Sequence, residues 1–213
     1  MREALIVWGG WSGHEPEAGA HLVAGMLKKQ DFEVYIENTT EAFADPAIAD
    51  MSLIVPIVTM SKIEKEEVEN LTAAVRGGVG LAGYHGCMCD AFRESVEYQF
   101  MCGGQWVAHP GNIIDYRVDI LRPDDPIMAG VSGFNYRSEQ YYMHVDPSNE
   151  VLATTTFSSE HAPWTKGVVM PVVWKRKHGA GRVFYSSLGH VVAEFEVPEM
   201  RTILERGLLW AAR

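Results

Sequence analysis

The hydrophobic pattern of the first hundred residues alternates between two periods. Residues 4–8 form an unbroken apolar run, residues 9–13 are rich in glycine, and Leu22, Val23, Met26 and Leu27 then recur at helical spacing behind Pro16. Together these predict strand, loop and helix, with Pro16 in the first turn, where its missing N–H is no loss. Residues 32–36 predict a second strand. Residues 51–58 are nearly all apolar, as expected of a third strand buried on both faces. Pro56 lies inside that run and lacks a donor, so the regular ladder is expected to stop near it. Ser61 and Glu64 have capping-box spacing and open a predicted helix that runs to about Arg76 and closes on Gly77 and Gly78. Residues 79–82 follow at once as a fourth strand, which ends in the turn Gly83-Tyr84-His85-Gly86.

The second half reads differently. Residues 113–121, 151–157 and 168–174 are strand candidates, residues 175–181 read as a hairpin connection into 182–188, and Pro198 starts a last helix with Ile203, Leu204, Leu208 and Leu209 on one face. Strands that alternate with helices need right-handed crossovers and therefore a parallel sheet. The expectation is an α/β fold, doubly wound and mostly parallel, with added β-hairpin elements in the C-terminal half. No repeat, low-complexity tract or linker-like stretch divides the chain, which predicts one domain over residues 1–213.

Composition removes several function classes. No apolar run approaches the roughly 20 residues that span a bilayer, so no membrane span is expected. The N-terminus runs directly into a strand without a secretory h-region, which predicts a cytoplasmic location. A formal net charge of −10 with no Lys/Arg cluster disfavours a nucleic-acid partner. Cys87, Cys89 and Cys102 form neither a CxxC pair nor an even set, which predicts reduced thiols. Cys87 and Cys89 follow the turn at His85 closely enough to make a thiol hydrolase a competing reading.

The polar residues with chemical potential stand at the ends of predicted strands. A side chain on a sharp strand-to-helix elbow projects at the carboxyl edge of the sheet, where open α/β folds bind ligands. Here that side chain is the imidazole of His85. His14 follows the first strand and His190 ends a late one, so all three are expected to share a crevice despite their separation in sequence. His109 lies on a glycine-rich stretch, and Glu139 stands among aromatic residues, where desolvation raises a carboxyl pKa. Trp106 and Tyr141 suit stacking against a sugar ring, and His144 is a further binding candidate. Each has a plainer reading: strand-end histidines cap carbonyls, aromatic clusters build cores, and Glu139 has Arg137 and Arg93 within reach in sequence. His21 and His178 read as solvent-facing. Histidines with a carboxylate suit zinc or another divalent ion, with His85 and His190 as candidate ligands, although no HxH or HxxxH spacing supports it. Ser12, Ser186 and Ser187 lack a GxSxG context. No nucleotide cofactor is indicated.

Several motifs together resemble the ThuA-like (trehalose utilisation) family of the class I glutamine amidotransferase-like superfamily. They are Gly83-Tyr84-His85-Gly86 with Asp90, Gly103-Gly104 through His109-Pro110, Ser138-Glu139-Gln140-Tyr141, Pro171-Val172-Val173-Trp174, Gly181 through His190, and the closing stretch from Arg206 to Ala212. The resemblance implies a flavodoxin-like sheet with its site at the elbow. It does not imply amidotransferase chemistry, because His85 stands where those enzymes need cysteine. Ser138 replaces the acidic first residue of the family's Asp-Glu-x-Tyr-like motif. The resemblance further implies carbohydrate catabolism: a small-molecule sugar substrate, functional coupling to a sugar 3-dehydrogenase, and an enzyme that processes trehalose-derived or related 3-keto-glycosides. His85, His190 and Glu139 would be its acid–base or metal residues, and the reaction a lyase, hydrolase or isomerase step. The competing reading is a non-catalytic sugar-binding or regulatory protein. A homo-oligomer is a further expectation.

Overall fold

The structure is a computed structural model and describes residues 2–213. In chain order the first elements are β1 (Arg2–Gly10), α1 (Pro16–Lys28), β2 (Phe32–Glu37), β3 (Leu53–Thr59), α2 (Lys65–Arg76), β4 (Gly80–Tyr84), the short α3 (His85–Cys89) and α4 (Val96–Cys102). Then follow β5 (Gly104–Ala108), β6 (Ile113–Ile120), β7 (Phe134–Glu139), β8 (Tyr142–Val145), β9 (Glu150–Thr156), β10 (Val169–His178), β11 (Gly181–Ser186) and α5 (Pro198–Ala211).

Nine strands form one sheet in the order β2-β1-β3-β4-β11-β10-β9-β6-β7, while β5 and β8 pair separately. The first five neighbours are parallel, in the order expected of a flavodoxin-like doubly wound sheet. From β11 outward the pairing turns antiparallel, since β10, β9, β6 and β7 are joined without crossover helices. Strand alternation sorts the core into two layers. Ala4, Ile6, Val55, Ile57 and Phe184 pack with α1 and α5, whereas Leu5, Val7, Ile54, Val183 and Tyr185 pack with α2 and α4.

Pro56 does not end its strand: β3 pairs with β1 through Thr59, with Val7 opposite Pro56. The ladder to β4 does stop, after Ile54, so the interruption expected from the sequence occurs on one side only. The second helix opens at Lys65. Glu64 is its cap, in a box with Glu67, because acidic side chains can fill the role assigned to Ser61. Residues 175–178 belong to β10 rather than to a loop, and only residues 179–180 connect it to β11.

β5 and β8 carry no clean period-2 pattern, whereas β7 alternates from Phe134 to Arg137 and is a strand absent from the elements predicted above. They matter for function. β6 pairs with β9 only at Asp119 and Ile120 but with β7 from Ile113 to Val118. At this edge of the sheet the hairpin brings the end of β7, with Glu139, to His85 at the carboxyl end of β4.

Candidate functional site

The elbow expected at His85 is present. β4 is extended through Tyr84, and His85 then takes a positive φ of 46° as the first residue of α3. A non-glycine residue there carries a cost of roughly 1–2 kcal/mol. Two contacts offset it: Tyr185 Oη donates to the His85 carbonyl at 3.0 Å, and His85 Nδ1–H donates to the Ser187 carbonyl at 2.8 Å. Both partners come from the end of β11, beside β4. Gly86 is required for a different reason. A Cβ there would lie 2.5 Å from His14 Cε1 and 2.9 Å from Tyr141 Oη.

With Nδ1–H bound to the Ser187 carbonyl, Nε2 of His85 lies 3.1 Å from Glu139 Oε2, a contact that becomes a charge-assisted hydrogen bond when this second ring nitrogen also carries a proton. Glu139 also lies 3.5 Å from His190 Nδ1 and 3.7 Å, through its other oxygen, from His109 Nε2. The arginines named as alternative partners are engaged elsewhere: Arg137 binds Asp115, and Arg93 binds Asp90 through two hydrogen bonds. Burial alone would raise the Glu139 pKa, but the His190 and His85 rings overcome it and hold the carboxyl well below the usual range. Burial likewise would lower His190, yet Glu139, with Glu194 and Glu15 further off, raises it. His14 is buried at the floor, hydrogen-bonded to Thr59 Oγ1 at 2.8 Å. Desolvation first, then the His85 and His190 rings, lower its pKa to about 3.

His14, Trp106, His109, Glu139, Tyr141 and His190 all line one pocket of about 360 Å³, joined by Trp11, Asp90 and Arg93. His85 is expected at the reacting centre, but it is fully buried behind Glu139 and stacks on Tyr141 at 4.1 Å. The elbow aims the imidazole at the site, and Glu139 and Tyr141 then cover it. His144 does not reach the pocket. It is exposed on β8 opposite Gln105, because its neighbours Tyr141 and Met143 take the inward positions. Burial disfavours the thiols as nucleophiles: all three cysteines are buried, burial pushes Cys87 up to about 12, and it raises Cys89 as well.

One residue escaped sequence reasoning. Glu194 accepts hydrogen bonds from Tyr136 Oη (2.5 Å), Ser138 Oγ (3.0 Å) and the His190 N–H (2.9 Å). A carboxylate thus meets the hydroxyl of Ser138, the residue that stands at the acidic position of the family motif. Nothing local to Glu194 signals this contact, 56 residues away in sequence.

The donor atoms of His14, His85, Glu139 and His190 lie within 4.8 Å of one another, so the group can hold a metal ion. The set fits zinc: His85 has its tautomer fixed by a carbonyl, as metal-bound histidines commonly do, and His190 Nδ1 has no well-formed hydrogen bond among the described residues.

An elbow at the carboxyl edge of a flavodoxin-like sheet, bearing histidine where a nucleophile would stand, defines a class I glutamine amidotransferase-like protein without that superfamily's thiol. The chain belongs to the ThuA family, described as trehalose utilisation, which it matches over residues 3–211. A ThuA-like protein of Parabacteroides merdae shares 18% identity over 99% of this chain and 89% of its own, with a TM-score of 0.80. One from Bacteroides uniformis has the same identity and TM-score over 99% and 91%. The fold also recurs within a β-galactosidase of Bacillus circulans at 14% identity, covering 99% of this chain but 30% of that one, with a TM-score of 0.63. No curated protein matches. Among the described residues no helix is long and apolar enough to cross a membrane.

Proposed function

We propose that the protein is an enzyme of trehalose utilisation that acts on 3-keto-glycosides by proton transfer at the carbon beside the ketone. The observation that carries this reading is the Glu139 carboxylate facing three imidazoles at 3.1–3.7 Å around one pocket. A 3-ketone acidifies the C2 proton, so a positioned base can remove it and leave an enolate. The enolate then expels the C1 oxygen, which leaves as an alcohol with a proton from the conjugate acid of the base and gives a 1,2-enone. Stopping there is elimination, addition of water at C1 of the enone completes hydrolysis, and reprotonation of the enolate instead gives isomerisation.

In the metal-free chain that base is His190. Its neighbour Glu139 raises its pKa against the desolvation of burial and stabilises the imidazolium formed when it takes the proton, as the carboxylate of a catalytic triad does. Trp106 and Tyr141 border the pocket that would take the ring. Trp106 Nε1 and His109 Nδ1 are buried and unpartnered among the described residues. A divalent ion held by His14, His85, Glu139 and His190 would instead polarise the ketone oxygen, leaving His109 as the imidazole available for proton transfer.

The test is incubation of the purified protein with 3-ketotrehalose, once with a chelator and once with zinc. Release of glucose or a shift of the carbonyl position under either condition supports the reading. No turnover under both conditions overturns it and leaves the non-catalytic sugar-binding reading.

A further inference from the structure

A second concavity adjoins the pocket. It has a volume of about 550 Å³ and runs between the β3–α2 loop and the segment linking α3 to α4. The two share Met60 and Arg93 as a common wall. We propose that this groove is the subsite for the second ring of a two-ring glycoside, with the keto ring in the His/Glu pocket and the glycosidic oxygen crossing between Met60 and Arg93. The proposal rests on the reading of the pocket as a 3-keto-glycoside site.

Arg93 is built for such a junction. Its Nε and Nη2 hold Asp90 at 2.5 and 2.9 Å, and its guanidinium lies over Trp106 at 4.8 Å, so the group is fixed from two sides. Nη1 has no partner among the described hydrogen bonds, and the side chain stays 42% exposed, which leaves two donors at the boundary for a bridging or hydroxyl oxygen. Met60 is fixed just as firmly. It is 46% exposed with a left-handed backbone at φ 50°, and its N–H donates to the Asp90 carbonyl at 2.8 Å. Strained non-glycine residues of this kind cluster at ligand clamps. The Ser61 N–H is tied in turn to the Ala91 carbonyl at 2.9 Å, so both walls of the groove are pinned to the elbow segment.

The lining selects the chemistry. Three cationic and three anionic side chains border the groove, so it favours neither sign of ion, while the buried Phe92 and Val68 lie beneath. A neutral polyhydroxylated ring with one apolar face matches that surface.

Backbone amide NMR of the full chain decides between the subsite and its alternatives, with trehalose and methyl α-glucoside as probes. Trehalose is expected to shift the amides of 61–65 and 92–97 in addition to those around 85, 139 and 190, while the single-ring glucoside shifts only the latter group. Ser61→Trp, which fills the groove, is expected to abolish the additional shifts. It is also expected to lower kcat/KM for 3-ketotrehalose at least tenfold relative to methyl 3-keto-glucoside. Identical shift patterns for the two sugars overturn the proposal, as do trehalose-specific shifts at 111–117 and 156–161, which border a different concavity. Absence of turnover with both keto sugars counts against the catalytic reading alone, because the shift comparison does not depend on chemistry.

Discussion

Replacing Glu139 by glutamine tests the centre of the argument with almost no change in shape. Every other carboxylate near the pocket is occupied: Asp90 by Arg93, Glu194 by Tyr136, Ser138 and the His190 N–H, and Glu15 by the Val192 N–H. No neighbour can therefore replace the lost charge. If Glu139 supports proton transfer by His190, the variant loses the whole acid–base contribution, a factor of about 10²–10⁴ in kcat. That factor corresponds to about 3–5 kcal/mol in the barrier. The lost charge-assisted bond to His85 costs about 1.5–3 kcal/mol of stability, or roughly 3–12 °C in Tm for a chain of this size. The variant is thus expected to stay folded at assay temperature, which circular dichroism checks. The pH profile supplies a second readout in chelator-treated protein. His190 acts as a base when neutral, and its raised pKa sets the acid limb of kcat/KM. Without Glu139 that pKa falls, so the limb moves to lower pH, and NMR titration of His190 follows the same change without substrate. A kcat within threefold of the parent, or a limb that stays in place, refutes the reasoning.

Three further outcomes are expected. In chelator-treated protein, His14 binds a proton in the unfolded chain below pH 6.5 but in the folded one only near 3, so stability falls with decreasing pH across that window. Removing this one group by His14→Asn reduces the slope of unfolding free energy by about 1.4 kcal/mol per pH unit there, and an unchanged slope in denaturant titrations contradicts the assignment. Zinc at a hundredfold excess over its Kd stabilises by about 2.7 kcal/mol, a Tm rise of roughly 5–11 °C, which the His85→Ala/His190→Ala double variant should not show. Iodoacetamide at pH 8 is expected to label no cysteine of the native chain and to leave any keto-glycoside turnover intact, because the thiols are buried and burial raises Cys87 and Cys89; rapid inactivation, traced to Cys87 by mass spectrometry, would restore the thiol reading.

Hydrophobic periodicity was sufficient for β1, β2, β3, α1, α2 and the elbow, because a parallel sheet buried on both faces imposes continuous apolar runs and its helices impose a 3.6-residue repeat. Glycine at 86 and histidine at 85 were legible for the same local reason: an elbow has steric requirements that few residues meet. The convergence of His14 and His190 followed from topology alone, since loops at one edge of a parallel sheet meet.

Three matters were decided only by tertiary structure. β7 is an edge strand whose alternation stops at Arg137, and nothing local shows that its end places Glu139 over His85. His144 looked equivalent to Tyr141 in sequence, but strand alternation and pairing with β5 turn it to the surface. Glu194 meets Ser138 across 56 residues, and Met60 and Arg93 come to border the same two concavities. The parallel strands, their flanking helices and the elbow at His85 are legible along the chain, because they depend on the short-range periodicity of burial. The charge that faces the imidazoles, the covering of His85 and the second concavity depend on how distant segments pack, and only the folded chain brings them together.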